Sequence, residues 1–301
     1  MKTIHLFADA SPQSGLGHLR RMQKLKVLLA PLAKVRLFAP HPLADEPISW
    51  LNQKILGADL CVVDSYLATP KFYAQVPTPL VVFEDFYRAE IKFSSSTYVF
   101  NPAYNAHTAY PKELQNHSHY FLGSGYYPID PIFCQVKSLK TTPKEVLLCL
   151  GGSDLTLTPL QNALKLLKHT PLKIHTIAPK PLLPHLPTAH NFVFEPLLNP
   201  TELAKRLSQA DIALFGGGQM IYEAILSQTP LISLPIASNQ LAQVQALAKV
   251  EALFLASLDN LLCVLQDLLD LNARERMQAA QKSLKLGDKL LPTLQGILTY
   301  A

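Results

Sequence analysis

The sequence predicts an α/β protein made of two doubly wound domains that face each other across a cleft. Short apolar runs alternate with segments of helical periodicity along the whole chain, which is typical of strands and helices around parallel sheets. The C-terminal half has two glycine turns, at residues 151–152 and 216–218, and each directly follows a short apolar run typical of a buried strand. A length of 301 residues is sufficient for two ordinary domains. We therefore predict an N-terminal domain at 1–138 and a C-terminal domain at 139–301.

Composition and charge narrow the class of protein. Apolar residues make up 49% of the chain and charged residues 16%, which is typical of a packed globular protein. The net charge of +5 comes without a dense basic run, so we expect acidic ligands such as nucleotides and no nucleic acid. No apolar run reaches membrane-spanning length, so we expect no stable membrane insertion. The four cysteines lack metal-ligand spacing and the N-terminus lacks a signal peptide, so we predict a cytoplasmic protein without a metal.

Strands of the N-terminal half are short and apolar, and polar residues follow several of them. Asp64 and Tyr66 follow one strand, Glu84 and Asp85 follow the next, and Asn101 ends another. Polar side chains at the ends of parallel strands are typical of a catalytic edge, although any strand end can carry them. The predicted strands lie at 3–8, 35–40, 60–63, 80–83, 98–100 and 120–123, and the predicted helices at 19–32, 50–57 and 71–76.

The loop after the first strand carries the candidate catalytic residue. It places Gly15, Gly17 and His18 at the start of a helix, with Arg21 in the first helical turn. Ligands of open α/β sheets bind at the carboxyl ends of the strands, where this loop must lie. Histidine titrates near neutrality, so His18 could act as a general base. A helix-capping or surface histidine is the alternative interpretation.

The C-terminal half begins after a polar linker at 135–143 and repeats the alternation. Its first glycine turn, Gly151 and Gly152, leads through Asp154 into a helix. The final helix could pack back on the first domain. The predicted strands lie at 145–150, 173–178, 192–194, 212–215, 230–235 and 252–255, and the predicted helices at 159–168, 201–209, 220–228, 241–249, 258–271, 273–285 and 289–300.

The triple-glycine turn at 216–218 is a candidate phosphate site. Glycine has no Cβ, so the backbone can turn sharply and approach a ligand closely. The helix predicted from Met220 directs its free N–H groups and positive dipole end at the same turn. Glu223, near the start of that helix, could bind sugar hydroxyls of a nucleotide. The alternative is a tight turn in which Glu223 only favours the helix N-terminus.

Four motifs occur in an informative order. Residues 15–21 fit a G-x-G-H-x-x-R loop, residues 63–66 a strand-end D-x-Y element, and residues 150–154 a G-G-x-D turn. Glu223 followed by Asn239-Gln240 is similar to a nucleotide-binding module. Together the motifs resemble the family of UDP-2,4-diacetamido-2,4,6-trideoxy-β-L-altropyranose hydrolases of pseudaminic acid biosynthesis. That family is related to two-domain nucleotide-sugar glycosyltransferases, and the resemblance covers nearly the whole chain.

The resemblance implies a GT-B-like fold of two Rossmann-like domains and an inverting, metal-independent hydrolysis that needs no cofactor. His18 would activate water at the anomeric carbon, and Tyr66 and Asn239 would touch the sugar or help to place the water. Glu223 would bind the ribose, and the turn at 216–220 would hold the diphosphate. The residues implied in substrate binding are Gly15, Gly17, Arg21, Asp64, Gly151, Gly152, Asp154, Gly217, Gly218, Gln219, Met220, Glu223 and Gln240.

The chain departs from the family pattern at three places. Residues 216–219 replace a more usual combination of serine, alanine and glycine, and residues 128–131 replace a segment that often carries an arginine. Glu84 stands in place of a more usual aspartate. The departures bear on the identity of the sugar and leave the fold class unchanged.

Two other functions fit the same sequence. One is a GT-B glycosyltransferase that uses a UDP-sugar donor, related to the enzyme that adds N-acetylglucosamine to the lipid-linked peptidoglycan precursor. The other is a non-catalytic nucleotide-sugar-binding protein, although the presence of His18, Asp64, Tyr66 and Asn239 together argues against it. A monomer is the expected state, and the sequence leaves open whether the product modifies flagellin or a surface glycan.

Overall fold

The computed structural model describes residues 1–11, 15–53, 57–76, 79–135 and 137–300. The chain divides into two compact units, one formed by Met1–Asp130 with Lys285–Ala301 and the other by Pro131–Leu284. Among the described residues, each unit has a six-stranded parallel sheet with flanking helices. This architecture confirms the predicted α/β class with two doubly wound domains. The cleft between them stays a prediction.

The first unit contains six parallel strands whose order places β1 at a topological switch point. β1 pairs with β2 on one side and with β3 on the other. The chain therefore adds β2 at one side of β1 and then crosses to the opposite side to add β3. β3 and β4 are buried throughout and rich in valine, as expected for strands covered on both faces. The strands, in the spatial order β2-β1-β3-β4-β5-β6, are β1 (Thr3–Ala8), β2 (Lys34–Phe38), β3 (Leu60–Asp64), β4 (Leu80–Phe83), β5 (Thr97–Asn101) and β6 (Tyr120–Leu122).

The long helix of the first half, α1 (Gly17–Leu29), packs on this sheet through residues at helical spacing. Leu19, Met22 and Leu25 are completely buried in the same core as the sheet. The predicted helix at 50–57 falls partly on residues 54–56, outside the described residues, and its described part is not helical, with a turn at residues 51–52. The other helices of this unit are α2 (Pro70–Tyr73), α3 (Ala106–Ala109), α4 (Lys112–Gln115) and α11 (Leu290–Tyr300).

The second unit repeats the arrangement with a switch point between β7 and β10. From β7 the chain proceeds through β8 to one edge of the sheet and then returns to β10 on the other side. The strands, in the order β12-β11-β10-β7-β8-β9, are β7 (Glu145–Cys149), β8 (Lys173–Ala178), β9 (Phe192–Pro196), β10 (Ile212–Phe215), β11 (Leu231–Ser233) and β12 (Phe254–Leu255). The helices are α5 (Leu157–Leu167), α6 (Pro200–Gln209), α7 (Met220–Leu226), α8 (Ser238–Lys249), α9 (Leu261–Asp267) and α10 (Leu271–Ser283).

The observed units divide the chain differently from the predicted boundary at residues 138 and 139. The segment that begins at Pro131 packs with the second unit, because Phe133 is buried and the Lys137 ammonium donates to the Leu207 carbonyl at 2.6 Å. At the other end of the chain, α11 belongs to the first unit, where Leu290 and Leu294 are part of the core of the first sheet. Packing and hydrogen bonds between distant segments, and not sequence order, therefore assign both segments.

Within the described ranges, no helix is both long and apolar enough to cross a bilayer.

Candidate active site

A buried histidine–carboxylate pair occupies the switch point of the first sheet. Asp64 is the last residue of β3, and His18 is the second residue of α1, which follows β1. His18 Nδ1 lies 2.6 Å from Asp64 Oδ1, and both side chains are buried. A carboxylate only accepts at neutral pH, so Nδ1–H donates and the neutral ring keeps its lone pair on Nε2. This is the arrangement that a histidine base requires.

Arg21 lies one helical turn after His18 and neutralises the carboxylates around it. Its guanidinium donates to both oxygens of Asp64, through Nε at 2.6 Å and Nη2 at 2.6 Å. Its Nη1 donates to Asp85 Oδ1 at 2.5 Å, so one buried cation binds two acidic residues. Burial by itself would lower the pKa of His18, but the charge of Asp64 and its hydrogen bond outweigh burial and raise that pKa.

Tyr66 stands beside the histidine and is also tied to Asp85. The two rings of His18 and Tyr66 meet edge to face, with their centroids 4.3 Å apart. The Tyr66 hydroxyl donates to Asp85 Oδ2 at 2.5 Å. Burial, with the adjacent negative charge of Asp85, raises the pKa of Tyr66, so the phenol keeps its proton. Four groups therefore surround the imidazole: two carboxylates, a guanidinium and a phenol.

The loop after β3 is held in place by the end of β1. Asp9 follows β1 and accepts hydrogen bonds from the Ser65 hydroxyl at 2.8 Å and from the Tyr66 backbone N–H at 2.7 Å. On the other side of this loop, Arg88 donates to the Ser65 carbonyl at 3.3 Å and pairs with Glu84. Burial of the carboxyl group raises the pKa of Glu84 to about 7 despite this pair. Hydrogen bonds to Asp9 and from Arg88 thus hold this loop in place.

Two predicted glycines shape the loop before α1. Gly15 has φ of 72°, a left-handed conformation that favours glycine, and its N–H donates to the Ser11 carbonyl at 2.8 Å. Gly17 is the first residue of α1, and a Cβ added there would have open space within 4 Å. Gly15 therefore has a backbone conformation that favours glycine, whereas Gly17 has open space where a side chain would be.

In the second unit, the switch point is lined by backbone. A Cβ added to Gly216 would lie 2.5 Å from the Leu150 carbonyl oxygen, and one added to Gly217 would lie 2.7 Å from Gln240 Cβ. A Cβ on Gly218 would meet no atom closer than 3.8 Å. Real Cβ atoms do not approach a backbone oxygen to 2.5 Å, so Gly216 is required by packing. The space beside Gly218 is open.

The glycine turn is clamped by the start of α8. Gln240 Oε1 accepts from the N–H groups of Gly217 at 3.1 Å and Ile236 at 2.9 Å. Gln243 Nε2 donates to the Gly217 carbonyl at 2.6 Å, and its oxygen accepts from the Tyr222 hydroxyl. Gln240 thus supports the turn directly, a role that the sequence prediction of substrate binding did not include.

Other predicted residues of the second unit lie around the same sheet edge. Glu223 is buried in the first turn of α7, with Gln219 and Met220 at the start of that helix. Gly151, with φ of 129°, and Gly152 follow β7. Asp154 and Asn239 are exposed, in a short 3-10 helix and in the first turn of α8 respectively. The functional role of every predicted site residue in both units stays a prediction.

Sequence reasoning missed three residues that hold these sites together. Asp85 was noted after its strand but was not included in the site, although it bonds both Arg21 and Tyr66. Asp9 and Gln243 were not singled out. Asp9 carries a signal of its own, because it directly follows the first strand at an edge where side chains converge. Gln243 carries none, since its partners are distant in sequence.

Comparisons with known proteins test the resemblance that the sequence predicts. No protein-family model matches the chain. A Helicobacter pylori protein named pseudaminic acid cytidylyltransferase and UDP-2,4-diacetamido-2,4,6-trideoxy-beta-L-altropyranose hydrolase is 32% identical over 98% of this chain. The chain spans about half the length of that relative, 55%. The predicted resemblance to this hydrolase is therefore confirmed across the sequence.

Solved structures support the fold. S. aureus MnaA, solved with UDP, matches all of this chain and 96% of its own, with 14% identity and a TM-score of 0.70. MurG of Acinetobacter baumannii matches 98% of this chain and 100% of its own, with 15% identity and a TM-score of 0.61. CalG4, the calicheamicin glycosyltransferase, matches 99% of this chain and 98% of its own, with 14% identity and a TM-score of 0.61. Likeness at such identity shows the fold alone, and it confirms the predicted GT-B-like class.

Proposed function

We propose that this chain is a hydrolase that removes UDP from UDP-2,4-diacetamido-2,4,6-trideoxy-β-L-altropyranose, a step of pseudaminic acid biosynthesis. The carrying observation is the buried His18–Asp64 pair at a sheet switch point, in a chain that resembles a relative named for this hydrolysis. The relative's name includes a second activity, cytidylyl transfer. The G-x-G-H-x-x-R loop at 15–21 favours the hydrolase activity for this chain.

The proposed step is a displacement at the anomeric carbon. His18 Nε2 takes a proton from water as the water oxygen forms a bond to that carbon. The bond between the carbon and the diphosphate oxygen breaks, and its electron pair leaves with UDP. Attack opposite to the leaving group inverts the configuration. Asp64 stabilises the imidazolium and holds the ring orientation, and such a positioned base contributes roughly 10²- to 10⁴-fold.

The diphosphate is proposed to bind the second unit. Gly218 has no Cβ, so a ligand can approach the backbone of the turn at 216–218 closely. The N–H groups near the start of α7 lie directly after this turn in the chain. Donors directed at a leaving diphosphate stabilise the charge that develops on it. Glu223 is proposed for the ribose hydroxyls, and Asn239 for the sugar. We further propose a monomeric cytoplasmic enzyme that acts on this UDP-sugar without a cofactor.

A glycosyltransferase is the second candidate, because solved structures with this fold include proteins named as glycosyltransferases. The two reactions share a UDP-sugar donor and differ in the attacking group, which is water or an acceptor hydroxyl. A transferase releases UDP at an appreciable rate only when its acceptor is present. An assay without acceptor therefore separates the two.

The test is incubation of the purified chain with a panel of UDP-sugars and no acceptor, following UDP release and the anomeric configuration of the product by NMR. We expect fastest release from the diacetamido-trideoxy sugar, with inversion, and an unchanged UDP affinity in His18→Ala with turnover lost. A parallel incubation with CTP and pseudaminic acid checks the relative's other activity. Absence of UDP release from every donor, or full turnover in His18→Ala, would refute the proposal.

A further inference from the structure

The Tyr66 hydroxyl makes a hydrogen bond whose direction can be assigned. Its partner is Asp85 Oδ2 at 2.5 Å, at the end of the strand next to the one that carries Asp64. Burial opposes ionisation of Asp85, but Arg21, His18 and the hydrogen bonds hold its pKa well below the usual range. Asp85 is therefore an ionised acceptor, and the tyrosine must donate.

This direction decides what the tyrosine oxygen can offer to a ligand. A phenol has one proton and two lone pairs, and the proton points at Asp85. The oxygen can then only accept. In the neutral ring that acts as the base, His18 Nε2 is also an acceptor, because the single proton is on Nδ1 and points at Asp64. The rings of His18 and Tyr66 lie edge to face with their centroids 4.3 Å apart, so the two acceptors belong to neighbouring side chains.

A water molecule is the ligand that fits two acceptors best. It can donate one O–H to each, which leaves its own lone pair free to attack an electrophile. A sugar hydroxyl has only one O–H, so it cannot satisfy both acceptors. Two neighbouring acceptors therefore suit a water molecule, which is the attacking group of the proposed hydrolysis.

We propose that Asp85 is a positioning residue that fixes Tyr66 as a hydrogen-bond acceptor beside His18, so that the pair holds the attacking water. The proposal rests on the proposed hydrolysis. Asp85 acts through Tyr66 and through Arg21, whose Nη1 lies 2.5 Å from its other oxygen. Asn in place of Asp85 would present an amide N–H that can donate to the phenol, and would thereby reverse the role of Tyr66.

The first experiment is a double-mutant cycle of Asp85→Asn and Tyr66→Phe on the full chain, with kcat and UDP affinity as measurements. We expect each single variant to lower kcat by about tenfold or more, and the double variant to equal the worse single within about threefold, since both remove one water contact. UDP affinity should stay within about twofold. Asp85→Glu should restore part of the rate. Independent, multiplying losses or a normal rate in Asp85→Asn would overturn the proposal.

The second measurement uses the pH profile and separates positioning from general damage. The groups facing His18 are Asp64, Arg21, Asp85 and Tyr66. Loss of the Asp85 charge destabilises the imidazolium, so the acid limb of kcat/KM should move to lower pH in Asp85→Asn and stay in place in Tyr66→Phe. The matched control is Asp45→Asn, which removes a carboxylate paired with Lys26 elsewhere in this unit and should leave the limb unmoved. An unmoved limb in Asp85→Asn would contradict the proposal.

Failure of the proposed function can be recognised separately. Titration of the His18 ring by NMR needs no substrate, and we expect a lower His18 pKa in Asp85→Asn than in the unaltered chain. If this shift occurs while no UDP-sugar is hydrolysed, the Asp85 network stands and the hydrolase proposal fails. If hydrolysis occurs without the shift and without coupling to Tyr66, the Asp85 proposal fails alone.

Discussion

The two sheets have the same kind of switch point, but side chains line the first and backbone lines the second. Between β1 and β3, titratable side chains converge: His18, Asp64, Arg21 and Asp85 bond one another over distances of 2.5–2.6 Å. Between β7 and β10, the chain presents glycines at 151–152 and 216–218, with amide side chains bracing the turn. The first edge is built from side chains and the second from backbone.

Under the proposed function, the two edges have different tasks within one fold. Moving a proton requires groups whose charge changes near neutral pH, which only side chains can supply. Binding a diphosphate requires several N–H donors at close range, which backbone supplies best when no Cβ intervenes. The first edge should therefore be sensitive to loss of a side-chain atom, and the second to addition of one.

The largest effect is expected at Asp64. Asp64→Asn should lower kcat by about 10²- to 10⁴-fold, because the amide no longer stabilises the imidazolium and leaves buried Arg21 without its main partner. Steady-state kinetics and a thermal melt measure the two consequences. UDP affinity, measured by calorimetry, should be retained if the edges have separate tasks. A kcat within threefold of the unaltered chain would break the comparison.

A smaller effect is expected from one added methyl group at the second edge. Gly216→Ala places a Cβ 2.5 Å from the Leu150 oxygen, so the turn must shift. We expect a loss of about 1–3 kcal/mol in the free energy of unfolding and weaker UDP binding by about tenfold. Gly218→Ala is the matched control for folding, since its nearest neighbour is 3.8 Å away. Equal losses of stability in the two variants would contradict the packing argument.

The smallest effect is expected in the dependence of kcat/KM on pH. Asp64 raises the pKa of His18 above 6.5 against the effect of burial. The base must be neutral to accept a proton, so activity is lost as pH falls through this raised pKa, and the acid limb should have its midpoint above pH 6.5. At the midpoint kcat/KM is about half of its plateau. Initial rates across the neutral range measure it, whereas UDP affinity at the second edge should not follow this limb.

Much of the fold could be predicted from local pattern. The strands at 3–8, 80–83, 173–178 and 212–215 have the predicted bounds, because an apolar run bounded by polar residues marks a buried parallel strand. The unit boundary at Asp130 could not be predicted. It depends on which sheet the segment from Pro131 contacts, and no short-range pattern records that choice.

The features of the candidate site can also be separated into those that the sequence predicts and those that it does not. The sequence by itself determined the strands and the glycine turns, because periodicity and backbone requirements are local properties. It also placed His18 and Arg21 at the start of a helix and Asp64 and Tyr66 at the end of a strand. Only the tertiary structure decided that Asp85 joins Arg21 to Tyr66 and that Gln240 braces the second turn. Those contacts depend on strand order and side-chain direction. Both arise when distant segments pack together, so a linear pattern does not contain them.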